Sequence, residues 1–421
     1  MKNVVIVGTL DTKGAEILYL KDLILKRGHN ALVMDLSMGR ELRLKGEITP
    51  EEVAKAAGVD IEEVRALADR GQRLKASELM VKGAIEKVKQ LYAEGKLHGI
   101  VALGGHTATV TGTTIMRALP FGVPKLMISS TAGMPAYVAQ YIGTNDVMLL
   151  HSVLDIAGLN DFIKNVLERG AGAICGAIET VTTTTAALLT KKEKPLIAIT
   201  EFGFSEKCCT KVKELLKQKG YEVIAFHAQG VGDRAMEDLL RQGYFDGVID
   251  VVPAGVSENL FKGNRDAGPN RLEAAGERGL PQVVTPCGFE MISCGPYPER
   301  TKQIVPDYEK RKMALIDPLR AQARTTAEEL KKVAKVVAEK LNKAKGPVKF
   351  LIPLKGWSSL SRPGGPLHEP ETDMVFVEEL RKQLKPEIEV RLIDAELNDP
   401  SFAEEVFKAF EEAFKQAVKK P

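Results

Sequence analysis

The sequence predicts an α/β protein with two doubly wound, Rossmann-like lobes, mostly parallel sheets and an interlobe cleft. A chain of 421 residues is long for one hydrophobic core. Short apolar runs alternate with segments whose apolar residues recur at helical spacing. This alternation starts again at Leu196, after the lysine-rich segment 191–194. We therefore predict a first lobe over residues 1–190 and a second over residues 191–421.

The first lobe opens with a βαβ unit. Residues 4–8 form an apolar strand, residues 9–13 its exit loop, and residues 14–27 a helix that ends at Gly28. The next predicted strand covers residues 31–35. The remaining predicted elements are short helices from residues 49 and 61, a helix at 76–94, a strand at 100–103, a helix at 107–119, strands at 125–130 and 147–150, and a helix at 159–169.

The second lobe repeats this order. Aligned without a gap, Thr200 falls on Gly8 and His227 falls on Asp35. All parallel βαβ units share such features, so either common architecture or duplication explains the match. The predicted elements are a strand at 196–200, a loop at 202–206, a helix at 207–219, a strand at 223–226, a loop at 229–233, a helix at 234–242, strands at 282–285, 350–353 and 389–393, and helices at 325–341 and from 400.

Composition excludes several function classes. A net charge of +3 and a single tryptophan give no polyanion-binding or base-stacking surface, so we predict no nucleic-acid partner. The apolar runs fall short of the ~20 residues that a membrane helix needs, and the apolar start is shorter than a signal peptide. The cysteine count is 5, an odd number, without paired CxxC motifs. We expect reduced thiols in a cytoplasmic protein.

The stretch 99–109 carries the strongest functional signal. Its apolar strand runs into Gly104 and Gly105, and a helix-capable segment follows at once. Glycines let the backbone approach an anion, and a helix start presents unpaired N–H groups and the positive end of its dipole. Many such turns bind nothing, but the hydroxyls of Thr107 and Thr109 favour a phosphate site.

Polar residues also follow other predicted strands, at the end where ligands bind in such sheets. Lys13 and Arg234 would supply positive charge to an anion. The alternatives are that Asp11 caps the first helix and that Arg234 pairs with Glu237 or Asp238 on its own helix. The further predicted binding residues are Thr9, Asp11, Lys13, Ser129, Ser130, Thr131, Gly230, Gly232 and Arg234.

Two histidines are candidates for acid–base chemistry. His106 and His227 each lie at a predicted strand exit, where an imidazole can exchange protons with a ligand. The alternative is that each histidine packs or caps. Cys287 lies near a strand end with no base beside it in the sequence, which argues against a nucleophile. Zinc patterns, a Walker loop and GxGxxG are all absent from the sequence, and no metal ligands are predicted.

Several segments together resemble a known family nearly from end to end. They are GTLDTK at 8–13, LGG at 103–105, PKLMISS at 124–130, YIGTND at 141–146, SVLDIAGLN at 152–160, FHAQGVGDRAME at 226–237, KG at 355–356 and LNDP at 397–400. The chain resembles the ATP-binding domain family typified by the tomato mosaic virus resistance protein. The resemblance implies Rossmann-like lobes, ATP with Mg²⁺ in or near the cleft, and a homodimer.

The chain departs from this family at its site-forming segments. The family's Gly-Gly-x-Gly-Gly-Thr loop is GGHTAT at 104–109, which loses two glycines, and its Thr-Thr-Thr-Glu run is VPAG at 252–255. Residues 289–293 and 316–320 differ from the family pattern as well. The resemblance therefore implies a divergent member whose ligand can differ.

These observations lead to competing hypotheses. The first is a cytoplasmic nucleotide-binding protein that holds ATP–Mg²⁺ in the interlobe cleft. The second is a small-molecule hydrolase or lyase that acts on a carboxylate or phosphorylated substrate in the same cleft without ATP, with His106 or His227 as the acid–base group. The third is a non-catalytic interaction protein.

Overall fold

The computed structural model describes residues 1–40, 44–180 and 193–418. They divide into two lobes, one within residues 1–180 and the other within residues 193–418. The predicted boundary at residue 190 lies outside the described residues. The interlobe cleft stays a prediction.

The first lobe alternates strands with helices. Its strands are β1 (Asn3–Gly8), β2 (Asn30–Asp35), β3 (Gly99–Gly104), β4 (Lys125–Ser129) and β5 (Val147–His151). Its helices are α1 (Leu10–Lys26), α2 (Pro50–Ala56), α3 (Ile61–Asp69), α4 (Arg73–Ala93), α5 (His106–Met116), α6 (Pro135–Ile142) and α7 (Asp161–Thr180).

The strands of the first lobe form a parallel sheet in the order β2-β1-β3-β4-β5. Alternate strand residues point to opposite faces: Val4 and Ile6 pack with α1 and α7, whereas Val5 and Val7 pack with α4 and α5. The chain therefore winds in opposite directions from β1, and the order reverses between β1 and β3. In such sheets a crevice opens at the carboxyl ends of the strands at that switch point.

The second lobe contains a longer parallel sheet and a small antiparallel one. Its strands are β6 (Leu196–Glu201), β7 (Glu222–His227), β8 (Gly247–Asp250), β9 (Gln282–Val284), β10 (Met291–Ser293), β11 (Met313–Asp317), β12 (Arg320–Arg324), β13 (Val348–Pro353) and β14 (Glu389–Ile393). Its helices are α8 (Glu206–Lys219), α9 (Val231–Arg241), α10 (Gly255–Phe261), α11 (Ala274–Glu277), α12 (Glu299–Ile304), α13 (Ala327–Leu341), α14 (Pro370–Gln383) and α15 (Pro400–Val418), with short 3₁₀ turns at Gly203–Ser205 and Tyr308–Lys310.

The parallel sheet of the second lobe has the order β7-β6-β8-β9-β13-β14. Helices α8 and α15 pack on one face of this sheet, and α9, α13 and α14 pack on the other. Its switch point lies between β6 and β8, so β6, β7 and β8 correspond to β1, β2 and β3. The doubly wound fold class and the mostly parallel sheets are confirmed.

Several element predictions were wrong in detail. The predicted exit loop 9–13 is largely helical, because α1 begins at Leu10 and only Lys13 departs from helical geometry, with φ −127° and ψ 24°. The predicted loop 229–233 is also shorter, since α9 begins at Val231. The strands β10 to β12 and the helices α6, α10, α11, α12 and α14 were missed.

No described helix is both long and apolar enough to pass through a bilayer.

Candidate functional site

A pocket of about 340 Å³ opens in the first lobe at the carboxyl ends of β1 and β3, where the strand order reverses. We call it the first-lobe pocket. Its polar lining residues are Thr9, Thr12, Lys13, Ser77, His106, Thr107 and Thr111. Its apolar lining residues are Val7, Leu36, Met38, Met80, Leu103 and Ala108, and the glycines Gly8, Gly105 and Gly112 complete it. The pocket thus offers a ligand both a polar and an apolar surface.

The start of α5 supplies backbone donors to this pocket. Gly104 has φ +144°, and a Cβ there would lie 2.6 Å from the Cβ of Ala108, so the turn requires glycine. Gly105 is the N-cap residue, and no described side chain caps the helix. The first N–H groups of a helix have no intrahelical acceptor, so those beside Thr107 and Ala108 remain for a ligand. The loss of the two family glycines therefore leaves this feature intact.

Close packing holds α5 against the sheet. A Cβ at Gly112 would lie 2.8 Å from the Cβ of Ala102 on β3 and 3.1 Å from the sulfur of Met127 on β4. Only glycine allows the helix to come this near, so Gly112 fixes the depth at which the helix start meets the pocket.

Beneath the pocket lies a set of linked hydroxyl groups, which we call the hydroxyl chain. Its members are Thr109, Ser129, Thr131 and Tyr141. Thr109 and Ser129 are fully buried, and the hydroxyl of the buried Tyr141 lies 3.0 Å from Nδ1 of His106. The predicted site residues His106, Thr109, Ser129 and Thr131 therefore come together, but only His106 among them lines the pocket.

Ser130 lies beside this chain without joining it. Its N–H donates to the carbonyl of Gly104 at 3.2 Å, and a Cβ at Gly105 would lie 3.7 Å from its Oγ. Ser130 and Gly104 thus contribute to the shape of the turn and do not line the pocket.

Lys13 and Asp11 lie at the start of α1, and only Lys13 lines the pocket. The ammonium of Lys13 also donates to the carbonyl of Ile156 in the loop after β5. The exposed carboxylate of Asp11 accepts from the N–H of Gly39 at 3.3 Å. Asp11 therefore stabilises the loop after β2, and Lys13 remains the cation beside the pocket.

Asp35 organises the strand end next to the pocket. Its Oδ1 accepts from the N–H of Leu10 at 3.0 Å, and from both the N–H (3.0 Å) and the hydroxyl (2.5 Å) of Ser37. The hydroxyl oxygen of Ser37 in turn accepts from the N–H of Asp11 at 3.1 Å. These bonds hold the first turn of α1, which is why the predicted exit loop is helical.

In the second lobe, among the described residues of the predicted loop 229–233 and the start of α9, Arg234 is the charged side chain without an ion-pair partner. Gly230 has φ +87°, and a Cβ at Gly232 would lie 2.2 Å from the carbonyl oxygen of His227, so both positions require glycine for backbone reasons. Arg234 is exposed and makes no ion pair among the described residues, so the predicted alternative of a pair with Glu237 or Asp238 is wrong. His227 is exposed at the end of the edge strand β7.

A buried arginine occupies the switch point of the second lobe. Arg271 donates to the two carboxylate oxygens of Asp250 at 2.6 and 2.7 Å, to Glu237 at 3.1 Å and to Asp233 at 3.5 Å. Thr200 also donates to Asp250, at 2.7 Å. We call Arg271, Asp233, Glu237 and Asp250 the arginine cluster. All of its side chains are buried.

Burial dominates the electrostatics of this cluster. It raises the pKa of Asp233 and of Glu237, and Arg271 only partly offsets that rise. Burial alone would lower the pKa of Arg271, but Asp250, Asp233 and Glu237 together raise it. Arg271 is therefore charged, and it serves as an internal cation for Asp250 at the end of β8 and for Asp233 and Glu237 on α9.

Other candidate groups of the second lobe are also internally satisfied. Glu258 pairs with Arg265 at 2.6 Å, and Asp373 pairs with Arg324. Burial raises the pKa of the Cys287 thiol well above its usual range, so this thiol stays protonated and is a poor nucleophile. The cysteines, all within the described residues, are free and buried.

Family models match both halves of the chain. Residues 2–183 match the N-terminal domain and residues 194–414 the C-terminal domain of the group described as "Uncharacterised protein family (UPF0261)". The chain belongs to the UPF0261 family. A UPF0261 protein of Clostridium tetani is 38% identical over 96% of this chain and 96% of its own length.

Two other relatives have a lower sequence identity to this chain. A UPF0261 protein of Brucella suis is 33% identical over 97% of this chain and 94% of its own. The ToMV resistance protein Tm-1(GCR237) of Solanum lycopersicum is 34% identical over 75% of this chain but only 42% of its own length. The UDP-GlcNAc 2-epimerase of Methanocaldococcus jannaschii, solved with UDP-GlcNAc and UDP, aligns over 68% of this chain and 83% of its own with 8% identity and a TM-score of 0.24, too low for an argument.

Sequence reasoning missed part of the first-lobe pocket. Ser77 and Met80 lie on the inner face of α4, where a pocket residue follows the same spacing as a core residue. Met38 follows β2 in a segment that carried no functional motif. Tyr141 lies in the family-like segment YIGTND, which was the one signal that could have indicated it.

Proposed function

We propose that this protein is a cytoplasmic nucleotide-binding protein whose first-lobe pocket binds a phosphorylated small molecule, most simply ATP with Mg²⁺. The supporting observation is the uncapped start of α5 at the switch point, with Lys13 in the same pocket. This combination of free amides, helix dipole and one cation suits a phosphate group.

The polar end of the pocket would hold the phosphates. The amides at the start of α5 approach through the Gly104–Gly105 turn, and the hydroxyls of Thr9 and Thr107 lie in the same lining. Lys13 adds a point charge. Although Lys13 donates to the carbonyl of Ile156, an ammonium has three donors, so two remain for a ligand.

The apolar lining suits a nucleoside better than phosphate alone. Leu36, Met38, Met80 and Leu103 line the pocket together. Methionine side chains adapt to flat rings and contact them favourably. The volume of about 340 Å³ falls within the range of small-molecule sites.

The described residues fit Mg²⁺ only as a companion of the nucleotide. They contain no group of three or more His, Cys, Asp or Glu side chains that could hold a metal ion. Mg²⁺ commonly binds through substrate phosphates with few protein ligands and neutralises their charge. Asp11, in the first turn of α1 after β1, carries an exposed carboxylate.

Calorimetry with a pair of variants tests the proposal. Thr107 is exposed in the first turn of α5. Thr107→Asp stabilises the helix by about 0.3–1 kcal/mol through its dipole but repels a phosphate. We expect ATP–Mg²⁺ to bind the wild type and to bind Thr107→Asp at least about tenfold more weakly, because like charges oppose each other in the site.

Thr107→Asn, of the same size as the aspartate but neutral, is the matched control and should bind ATP–Mg²⁺ clearly more tightly than the aspartate variant does. If ATP–Mg²⁺ gives no binding heat with the wild type, or if the aspartate and asparagine variants bind alike, the proposal is wrong.

The second candidate function is a hydrolase or lyase that acts on a carboxylate or phosphorylated substrate without ATP. One observation favours it: His106 lines the pocket and contacts Tyr141, whereas His227 ends an edge strand and does not line that pocket. Binding heat with an organic acid or a sugar phosphate, but none with ATP, would support this alternative. His106→Gln should then abolish turnover, and His227→Gln should not.

A further inference from the structure

The hydroxyl chain has a fixed direction at its inner end. Thr109 Oγ1 lies 2.8 Å from the carbonyl oxygen of Gly105, and a carbonyl only accepts, so Thr109 donates its proton there. Ser129 lies 2.6 Å from Thr109 and must therefore donate to it. Thr131 lies 3.2 Å from Ser129 and 3.4 Å from Thr109, whose protons are both already used, so Thr131 donates its proton to this pair, in which Ser129 is the nearer acceptor.

The same count of hydroxyl protons determines the direction of the hydrogen bonds at the outer end of the hydroxyl chain. The Tyr141 hydroxyl lies 3.3 Å from Thr131 Oγ1 and 3.0 Å from Nδ1 of His106. Because Thr131 has given its proton to Ser129, Tyr141 donates to Thr131. The last contact then needs a proton from His106. Among the described residues, the four hydroxyl protons are then all used before the contact between Tyr141 and His106, and only an Nδ1–H imidazole completes the set.

We infer that Tyr141 positions His106 as the neutral Nδ1–H tautomer, which leaves Nε2 as a proton acceptor in the first-lobe pocket. His106 lines this pocket, and no described group forms a hydrogen bond with Nε2. The bond made by one ring nitrogen sets the state of the other. Nε2 would repel a phosphate oxygen and accept a hydrogen bond from a ligand hydroxyl or amino group.

This inference refines the proposed function. Only the identity of the ligand beside His106 rests on that function. If the ligand is a nucleotide, its ribose hydroxyl or base amino group lies against His106, while its phosphates lie at Lys13 and the start of α5. The tautomer itself exists without ligand. Its measurement can therefore fail while ATP still binds, and the reverse also holds.

Long-range ¹H–¹⁵N correlation spectra of the ¹⁵N-labelled full chain, at a pH where the ring is neutral, measure the tautomer. His106→Gln assigns the His106 signals. In the wild type we expect Nδ1 at a protonated shift and Nε2 at an unprotonated shift. Thr131→Val frees the Tyr141 proton for Nδ1, and Tyr141→Phe removes the partner of Nδ1, so the preference should fall about fivefold or reverse in each, as expected for one neutral hydrogen bond.

Tyr137→Phe is the matched control. The Tyr137 ring lies 5.0 Å from that of His106, but its hydroxyl takes no part in the hydroxyl chain. This variant should keep the wild-type tautomer. The signals of the other histidines in the same spectra show whether each variant is folded.

Carbethoxylation by diethyl pyrocarbonate gives a second measurement. The reagent attacks an unprotonated ring nitrogen, so mass spectrometry should find His106 modified in the wild type and about fivefold more slowly in Thr131→Val. An Nε2–H tautomer in the wild type would falsify the inference. A tautomer and a modification rate that both stay unchanged in Thr131→Val and Tyr141→Phe would also overturn it.

Discussion

The switch points of the two lobes have the same topology and opposite contents. In the first lobe, β1 and β3 end around a pocket of about 340 Å³. In the second lobe, the equivalent strands β6 and β8 end at the arginine cluster, where Arg271 binds Asp250 at 2.6 Å. Strand order therefore creates a crevice at the strand ends of each switch point, which we call the corner. Side chains determine whether this corner becomes a cavity or a buried ion-pair network.

The difference begins at the strand ends. β3 ends in Gly104, whereas β8 ends in the buried carboxylate Asp250. A buried carboxylate needs a partner, and Arg271 provides one from the chain itself. In the first lobe small residues leave the corner open, and its lining includes the cation Lys13.

The largest predicted effect is the loss of the internal cation. Arg271→Met leaves Asp250, Asp233 and Glu237 without their shared partner, and removal of one side of a buried ion pair costs about 3–5 kcal/mol. The single tryptophan, Trp357, is buried in the second lobe, so its fluorescence during urea unfolding reports on that lobe. We expect the unfolding midpoint to shift to clearly lower urea.

Arg278→Met is the control, because it removes a guanidinium that makes no ion pair within the described residues. It should change the free energy of unfolding by less than about 0.5 kcal/mol. An Arg271→Met protein as stable as this control would contradict the account of the arginine cluster.

The second prediction fills the first-lobe pocket with a side chain, so that its corner resembles the filled corner of the second lobe. Ser77 lines the pocket from α4, where a phenylalanine would occupy the ligand volume. Ser77→Phe should weaken ATP–Mg²⁺ binding by at least about tenfold, since an occupied cavity excludes the ligand. Ser77→Ala keeps the space and should bind as the wild type does. Equal affinities in calorimetry would place the ligand elsewhere.

The backbone of these corners could be predicted from sequence because local patterns carry it. Apolar runs of strand length, helical spacing and the glycines at 28 and 220 gave the βαβ units in both lobes, and the alignment of His227 with Asp35 matches the last residues of β7 and β2. The Gly104–Gly105 turn was predicted for the same reason. Its conformation depends on residues that are adjacent in the chain.

The contents of the corners could not be predicted, because they depend on residues that are distant in sequence. Arg271 is 21 positions from Asp250 and 34 from Glu237, and its own segment shows no motif. Tyr141 reaches His106 across 35 positions. The strands β10 to β12 were missed since each holds at most one β-branched residue and no aromatic residue.

The third prediction uses pH to separate the lobes. Burial raises the pKa of Asp373 in the second lobe to about 7, although Arg324 opposes the rise. In the first lobe, hydrogen bonds from Arg65 and Arg40 lower the pKa of the exposed Glu62. Native Asp373 keeps a proton that the unfolded chain releases above pH ~4. The free energy of unfolding reported by Trp357 should therefore fall as pH rises from about 4 to 7, by up to about 1 kcal/mol per pH unit.

Asp373→Asn should reduce this slope, because its side chain does not titrate. A carboxyl ¹³C titration of Asp373 with a midpoint below pH 5 would refute the prediction directly. Any fall in stability with rising pH that remains in the variant should come from the other buried acids, since burial also raises the pKa of Glu237.

The smallest predicted effect concerns Arg234, whose exposed guanidinium makes no described ion pair. Arg234→Met should change the stability of the second lobe by less than about 0.5 kcal/mol. If the first-lobe pocket alone holds the phosphates, ATP–Mg²⁺ affinity should also stay within about twofold, the ordinary effect of a screened surface charge that does not contact the ligand. If Arg234→Met instead weakens binding as strongly as Thr107→Asp does, both lobes contact the ligand. That result would favour the interlobe site predicted from sequence and would end the contrast between an open and a filled corner.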